Sequence, residues 1–236
     1  MILKPGKKPG FLFFMIDTLK YEKTARSNGH DLVIGIDEAG RGPLAGPVVA
    51  AAVALKDAHF DLVIRDSKKM SERQRERAYE QIFQKAYVGI GIMNEAVIDE
   101  KNILEATFLA MNGAVRQMFD FYQDQLQDFS REPKRVCLLI DGNQFKPEFA
   151  YPYVTIVNGD SLSLSISCAS IIAKVTRDRI LKIYDHIFPQ YGFIQHKGYP
   201  TASHREALER FGISPIHRRS YSTVQKIPHP FKKIHA

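Results

Sequence analysis

Two short apolar runs, Leu32 to Asp37 and Val48 to Leu55, flank a loop that reads Glu38-Ala39-Gly40-Arg41-Gly42-Pro43-Leu44-Ala45-Gly46-Pro47. Runs of this length, rich in Val, Ile and Ala and bounded by Gly and Pro, favour two strands joined by an ordered loop. The second run could also form a buried helix. The first strand delivers two adjacent carboxylates, Asp37 and Glu38, to its end. Gly40-Arg41-Gly42 follows at once, a backbone able to approach a ligand closely beside one guanidinium suited to phosphate. An Asp-Glu pair alone is usually a solvated strand end, and a Gly/Pro-rich loop is usually a turn. Their fusion points to an acidic metal site beside a phosphate-contacting loop.

Downstream, Ser71 caps a charged helix running to Lys85, and Tyr87 to Met93 reads as a strand. Apolar residues at helical spacing from Leu104 to Tyr122 predict one long amphipathic helix from about Asn102 to Gln127, with Gly113 its weak point. Arg135 to Ile140 and Tyr153 to Val157 read as strands running into Asp141-Gly142-Asn143 and Asn158-Gly159-Asp160. A helix from about Ser165 to Phe188 follows, then a turn-rich stretch, then a helix from Ala202 to Phe211 stopped by Gly212. This order predicts an α/β body with helices packed on a mixed sheet, and a small helical C-terminal part beginning between Asp185 and Gly198.

At 236 residues the chain can bury one sizeable core. No span is apolar and long enough to cross a membrane. The basic N-terminus before Phe11 to Ile16 lacks the core length and cleavage site of a signal peptide, and is expected to dock or stay mobile. Cys137 and Cys168 have no ligand spacing and read as buried thiols of a reducing compartment, consistent with a cytoplasmic protein. The net charge of +7 is concentrated at the ends: +4 in residues 1–30 and +5 in residues 217–236, leaving the body slightly acidic. That pattern fits either solubilising tails or polyanion binding.

If the three acid-tipped strands emerge at one sheet edge, Asp37, Glu38, Asp141 and Asp160 converge. Four such charges repel unless cations sit among them, and an all-oxygen set favours Mg²⁺ or Mn²⁺. Successive strand residues face opposite ways, so Asp37 and Glu38 can share one cluster only if the strand ends, twists or bulges there. Two other readings of the glycines are excluded. Arg41-Gly42 stands where a Walker loop needs Lys-Ser/Thr, and Pro43 and Pro47 obstruct the helix a dinucleotide fingerprint requires.

The stretches Gly35 to Gly46, Asp66-Ser67-Lys68-Lys69, Asp141-Gly142-Asn143, Gly159-Asp160-Ser161, Ser167 to Asp178 and Tyr191 to Thr201 together closely resemble bacterial type 2 ribonuclease H (RNase HII). The resemblance covers roughly residues 31–225. It implies an RNase H-like fold, with 1–30 as an N-terminal extension, 31–190 as the catalytic domain, and 191–236 as a C-terminal helical segment and basic tail. It implies a metal-dependent endonuclease that hydrolyses the RNA strand of RNA–DNA hybrids and incises 5′ of single ribonucleotides in duplex DNA, as in ribonucleotide removal. Products would carry 5′-phosphate and 3′-hydroxyl ends. By the same resemblance Asp37, Glu38, Asp141 and Asp160 are catalytic ligands of two Mg²⁺ or Mn²⁺ ions. Gly40-Arg41-Gly42 would contact the ribonucleotide 2′-hydroxyl, Tyr199 the following sugar, and Lys68 and Lys69 phosphates. Asp178 is expected in an ion pair, and His196 in either a phosphate contact or a structural hydrogen bond. A monomer is expected. Gln225 to Phe231 resembles a Gln-to-aromatic sliding-clamp peptide, with a plain basic tail as the alternative.

Overall fold

In the computed structural model, residues 17–227 are described. The centre is a five-stranded sheet, β1 (Leu32–Ala39), β2 (Val48–Leu55), β3 (Ala86–Met93), β4 (Val136–Asp141) and β5 (Tyr153–Ile156), in the order β3-β2-β1-β4-β5. The first three strands form an antiparallel meander, and β4 and β5 lie parallel to β1 and to each other. Every expected strand is present. The run at β2 is a strand and not a helix because it is covered on both sides. Val48, Ala50, Ala52 and Ala54 face one core cluster, while Val49, Ala51 and Val53 face the other. Burial on both faces removes the polar alternation of a half-exposed strand.

One face is covered by α4 (Ile103–Phe121), the other by α6 (Leu164–Ile187) with α2 (Glu72–Lys85) beside it. Helix α4 sits directly on β3 because Gly91 has no side chain: a Cβ there would lie 1.9 Å from the Ala110 carbonyl oxygen. At the start of α2, the Ser71 hydroxyl accepts from the Gln74 amide at 3.3 Å while the Gln74 side chain accepts from the Ser71 amide at 2.9 Å. This reciprocal cap is worth about 1 kcal/mol.

The single helix expected from Asn102 to Gln127 is two helices. The first, α4, is capped by Asn102, which stops the short α3 (Glu95–Lys101) and accepts from the Leu104 and Glu105 amides. It runs uninterrupted through Gly113 and ends at Tyr122, where α5 (Gln123–Arg131) begins. Packing causes the break. Tyr122 sits edge-on to Tyr87 of β3 at 5.0 Å, and the change of direction buries Leu126 in the same core as Met118.

Helix α1 (Lys20–Ser27), within the expected N-terminal extension, docks on the body. Its Glu22 is buried and accepts from the Ser163 hydroxyl at 2.6 Å, the Ser165 amide at 2.9 Å and the Ser165 hydroxyl at 2.7 Å. Beyond α6, the short α7 (Phe193–His196), α8 (Ala202–Phe211) and α9 (Ser222–Gln225) surround a small core of their own. Leu44 and Ala45 from the β1–β2 loop and Leu181 of α6 enter that core. Both cysteines are free and buried.

Candidate active site

Strands β1 and β4 are in register through Ile36 and Ile140, so Asp37 and Asp141 emerge side by side at one end of the sheet. Asp160 arrives differently from the sequence expectation. Strand β5 stops at Ile156, the chain turns through Asn158 in a left-handed conformation, and Asp160 rides a single 3₁₀ turn, Gly159–Ser161. That turn is fixed to β4: the Asp141 carboxylate accepts from the Gly159 amide at 2.7 Å. The result places one carboxylate oxygen from each of Asp37, Asp141 and Asp160 within 4.8 Å of one another.

Glu38 lies outside that trio. The β1–β2 ladder continues regularly to Ala39 opposite Val49, without a bulge, so the alternation of a strand is kept. Asp37 faces α6, and Glu38 turns toward α4, where it lines a small cleft with Asp141, Asn143 and Arg41. Its carboxylate stands 3.3 Å from the Arg41 guanidinium. Three of the four expected ligands therefore converge, and the fourth flanks them from the other face.

Burial, reinforced by the charges of Glu38 and Asp141, holds the Asp37 carboxyl well above its usual range. Burial also raises Glu38, with Arg41 pulling the other way, and raises Asp141 with help from Asp160. A carboxyl whose folded value exceeds its unfolded one stabilises the fold while protonated; that contribution is lost as pH rises through the raised values. At neutral pH the cluster therefore works against the fold, and a divalent cation relieves it. A buried, all-oxygen set crowded by its own charge fits Mg²⁺ or Mn²⁺. Mn²⁺ at about 100 times its dissociation constant should raise the melting temperature by about 5–10 °C at neutral pH. The increment should shrink as the medium is acidified and protons displace the ion. Thermal melts against a chelator control measure this, and a melting temperature indifferent to Mn²⁺ at neutral pH would count against a cation site.

The loop after β1 stands beside this cluster. Glu38, Gly40, Arg41, Gly42, Ser67, Lys68, Ser170, Lys174 and Tyr199 line one cleft, so that Glu38 borders it as well as the α4-side cleft and stands with the elements expected to read substrate. Tyr199 is 41% exposed, and its ring carbon Cε1 would lie 3.6 Å from a Cβ placed on Gly42. Lys68 is mostly exposed, with its ammonium 3.5 Å from Asp160. Burial tends to lower its pKa, but the Asp160, Asp37 and Asp66 carboxylates outweigh this and raise it. Lys69 pairs instead with Asp66 at 3.5 Å and reaches the Ser161 hydroxyl at 3.3 Å. Asp178 is ion-paired as expected, with Lys174 at 2.6 Å. His196 is structural: it is buried, donates from Nε2 to the Tyr191 carbonyl at 2.8 Å, and accepts at Nδ1 from the Gly198 amide.

Four residues that sequence reasoning did not assign shape the cleft. Ser170 stands beside the Asp37 carboxylate, where its hydroxyl partly offsets the burial that raises Asp37, and shares a hydrogen bond of 2.9 Å with Ser67, tying the Asp66 to Lys69 segment to α6. Arg177, buried in α6, donates to the carbonyls of Pro47, Ala45 and Lys197 at 2.9–3.0 Å. Arg218 is fully buried and bonds to the carbonyls of Gly40, Arg41 and Gly46 as well as to the hydroxyl of Tyr221. Arg177 lies inside one of the stretches that carry the resemblance, whereas the sequence places Arg218 among the basic charges of the 217–236 tail. The structure corrects that count, since the Arg218 charge faces the protein interior.

The sequence model of the family described as Ribonuclease HII matches residues 34–224, a span holding every cleft residue named above. The chain belongs to the ribonuclease HII family. The ribonuclease HII of Ruminiclostridium cellulolyticum is 48% identical over 204 residues, covering 86% of this chain and 74% of that protein. That of Acholeplasma laidlawii is 45% identical and covers 90% and 98%. The structure of a PCNA:RNase HII complex from Archaeoglobus fulgidus superposes with a TM-score of 0.60 at 26% identity, over 84% of this chain and 97% of that one. As a ribonuclease HII the chain is a divalent-metal-dependent ribonuclease H, an endonuclease acting on RNA–DNA hybrids. Among its described residues no helix is long and apolar enough to cross a membrane.

Proposed function

We propose that this ribonuclease HII also incises duplex DNA 5′ of a single embedded ribonucleotide, leaving 5′-phosphate and 3′-hydroxyl ends, and so serves ribonucleotide removal. The observation that carries this reading is the shared cleft: the loop Gly40-Arg41-Gly42 and Tyr199 line it together with Glu38 and with Lys68, whose ammonium lies 3.5 Å from Asp160 of the acidic cluster. A sugar lodged in that cleft would have its 2′-hydroxyl against the loop, the one group that separates RNA from DNA there. Its neighbouring phosphate would reach the carboxylates.

Asp37, Asp141 and Asp160 would hold divalent cations, and Glu38 would complete the set from the α4 side. Two Mg²⁺ or Mn²⁺ ions, when bound, supply Lewis acidity toward phosphate oxygens and water. The chain's own groups do the rest. Lys68 balances charge beside Asp160 and meets phosphate, Arg41 partly offsets the burial that raises Glu38 and is free to shift to the backbone of the substrate, and Tyr199 packs against the sugar after the ribonucleotide. Lys69, tied to Asp66, contributes a second phosphate contact. The protein would act as a monomer in the cytoplasm. The resemblance of Gln225 to Phe231 to a clamp peptide gains support from the PCNA complex of the archaeal relative; residues 228–231 lie outside the described residues.

The test is a DNA duplex holding one ribonucleotide, incubated with Mg²⁺ or Mn²⁺ beside an all-DNA control and a long hybrid. A single cut 5′ of the ribonucleotide with the control intact is expected. Cleavage of the hybrid alone would reject the finer reading and leave the ribonuclease H activity standing.

A further inference from the structure

The 2′-hydroxyl reader proposed above is a piece of backbone, and backbone reads a ligand only if its peptide planes are held in one orientation. We infer that Arg218, with Tyr221, is the positioning device that turns those planes, and that discrimination between ribose and deoxyribose depends on it. This rests on the assignment of Gly40-Arg41-Gly42 to the ribose.

Arg218 approaches the loop from the protein interior and is 0% exposed. Its Nη2 donates to the Gly40 carbonyl at 2.5 Å and to the Gly46 carbonyl at 2.8 Å, and its Nη1 donates to the Arg41 carbonyl at 2.9 Å. Tyr221 bonds to both: its hydroxyl accepts from Arg218 Nη1 at 2.9 Å and donates to the same Arg41 carbonyl at 2.6 Å. The carbonyls of two consecutive peptides are thereby drawn inward. A trans peptide is planar, with its N–H directed opposite its C=O. Drawing in the Gly40 and Arg41 carbonyls therefore turns the Arg41 and Gly42 amides outward, toward the cleft side of the loop. Among the described residues neither amide has a protein acceptor. Two adjacent outward donors suit a hydroxyl or phosphate oxygen.

The neighbouring chain fixes the distance from this reader to Tyr199. The Arg218 amide donates to the Leu44 carbonyl at 2.9 Å, and the Leu44 amide to the Gly198 carbonyl at 2.8 Å, one residue before Tyr199. His217 donates from Nε2 to Nε2 of His204, whose Nδ1 donates to the Tyr199 carbonyl at 3.0 Å. The dipeptide His217-Arg218 thus anchors both walls of the cleft. Lysine cannot substitute for Arg218, because only the guanidinium fork reaches several carbonyls at once.

The readout is the ratio of affinities for a duplex with one ribonucleotide and the same duplex in all-DNA form, measured by fluorescence anisotropy with Ca²⁺. Tyr221→Phe removes one hydroxyl from the Arg41 carbonyl, and should lower that ratio about three- to tenfold, the effect of one hydrogen bond. Arg218→Lys should bring the ratio close to one. Affinity for all-DNA duplex should hold in both, since Lys68 and the other surface cations are untouched. Should Arg218→Lys fail to fold by thermal melt, Tyr221→Phe decides. A wild-type ratio in a folded variant, or equal losses on both duplexes, would overturn the inference. A wild-type protein that neither prefers nor cuts the ribonucleotide duplex would remove the assignment beneath it instead.

Discussion

Asp141→Asn is expected to bind an RNA–DNA duplex as the wild type does and to cleave it about 10³-fold more slowly, the equivalent of about 4 kcal/mol. The substitution is nearly isosteric. Its remaining carbonyl oxygen can still accept from the Gly159 amide, so the turn that carries Asp160 stays attached to β4. What is lost is one of three charges whose oxygens lie within 4.8 Å of one another. The same loss removes the Asp141 repulsion that adds to burial and to Glu38 in raising the Asp37 carboxyl, so the metal-free variant should melt higher than the metal-free wild type, and its response to Mn²⁺ should be blunted. Activity and stability then move in opposite directions. Single-turnover cleavage, anisotropy and thermal melts test the three parts separately, and a variant that turns over at the wild-type rate would sink the assignment of the cluster.

Alanine at two glycines of one loop should produce two different failures. At Gly40 φ is +101°, and an added Cβ would lie 2.2 Å from Arg177 Nε and 2.8 Å from the Pro47 carbonyl oxygen. Arg177 is buried and committed to three carbonyls, so it cannot step aside cheaply. Gly40→Ala should cost about 3 kcal/mol of stability, visible as a lowered urea midpoint with unchanged slope. Gly42 needs neither an unusual φ nor internal space, since its added Cβ would meet only Tyr199 at an ordinary 3.6 Å. Gly42→Ala should therefore stay within about 1 kcal/mol of wild type. Yet its methyl group occupies the cleft assigned to the sugar, and incision at a ribonucleotide should fall about 100-fold. Wild-type incision by a folded Gly42→Ala protein would mean that the substrate passes elsewhere.

The sequence carried the strands and the acids because both are local signals. Short runs of Val, Ile and Ala, glycine punctuation and a polar tip are written in a few consecutive residues, and the expected boundaries of β1, β2 and β3 lie within about two residues of the observed ones. The break at Tyr122 was not local. Residues 103–131 form helix willingly throughout, and only the ring of Tyr87 and the pocket for Leu126 decide where the chain turns. The position of Glu38 was hidden for a related reason: a regular strand and a bulged one share the same sequence pattern, and the ladder to β2 selected the regular one. Arg218 was least visible of all. An arginine in a basic segment reads as surface charge, and nothing short of the tertiary fold shows that it points inward to three carbonyls.

Helix α6 runs 24 residues without interruption, with Ser170 beside Asp37, Arg177 under the Gly40 to Pro47 loop, and Leu181 in the C-terminal core. One rod thus crosses from the acidic cluster to the loop proposed to read the sugar and onward, and the two cannot hinge against each other at any point along it. Accommodation of a duplex then falls on the nucleic acid, which must bend or shift to fit a gauge of fixed length. With the proposed assignment of loop and cluster, such an enzyme would measure its substrate before cutting, and a duplex whose ribose and scissile phosphate are not at that separation would be rejected by geometry alone.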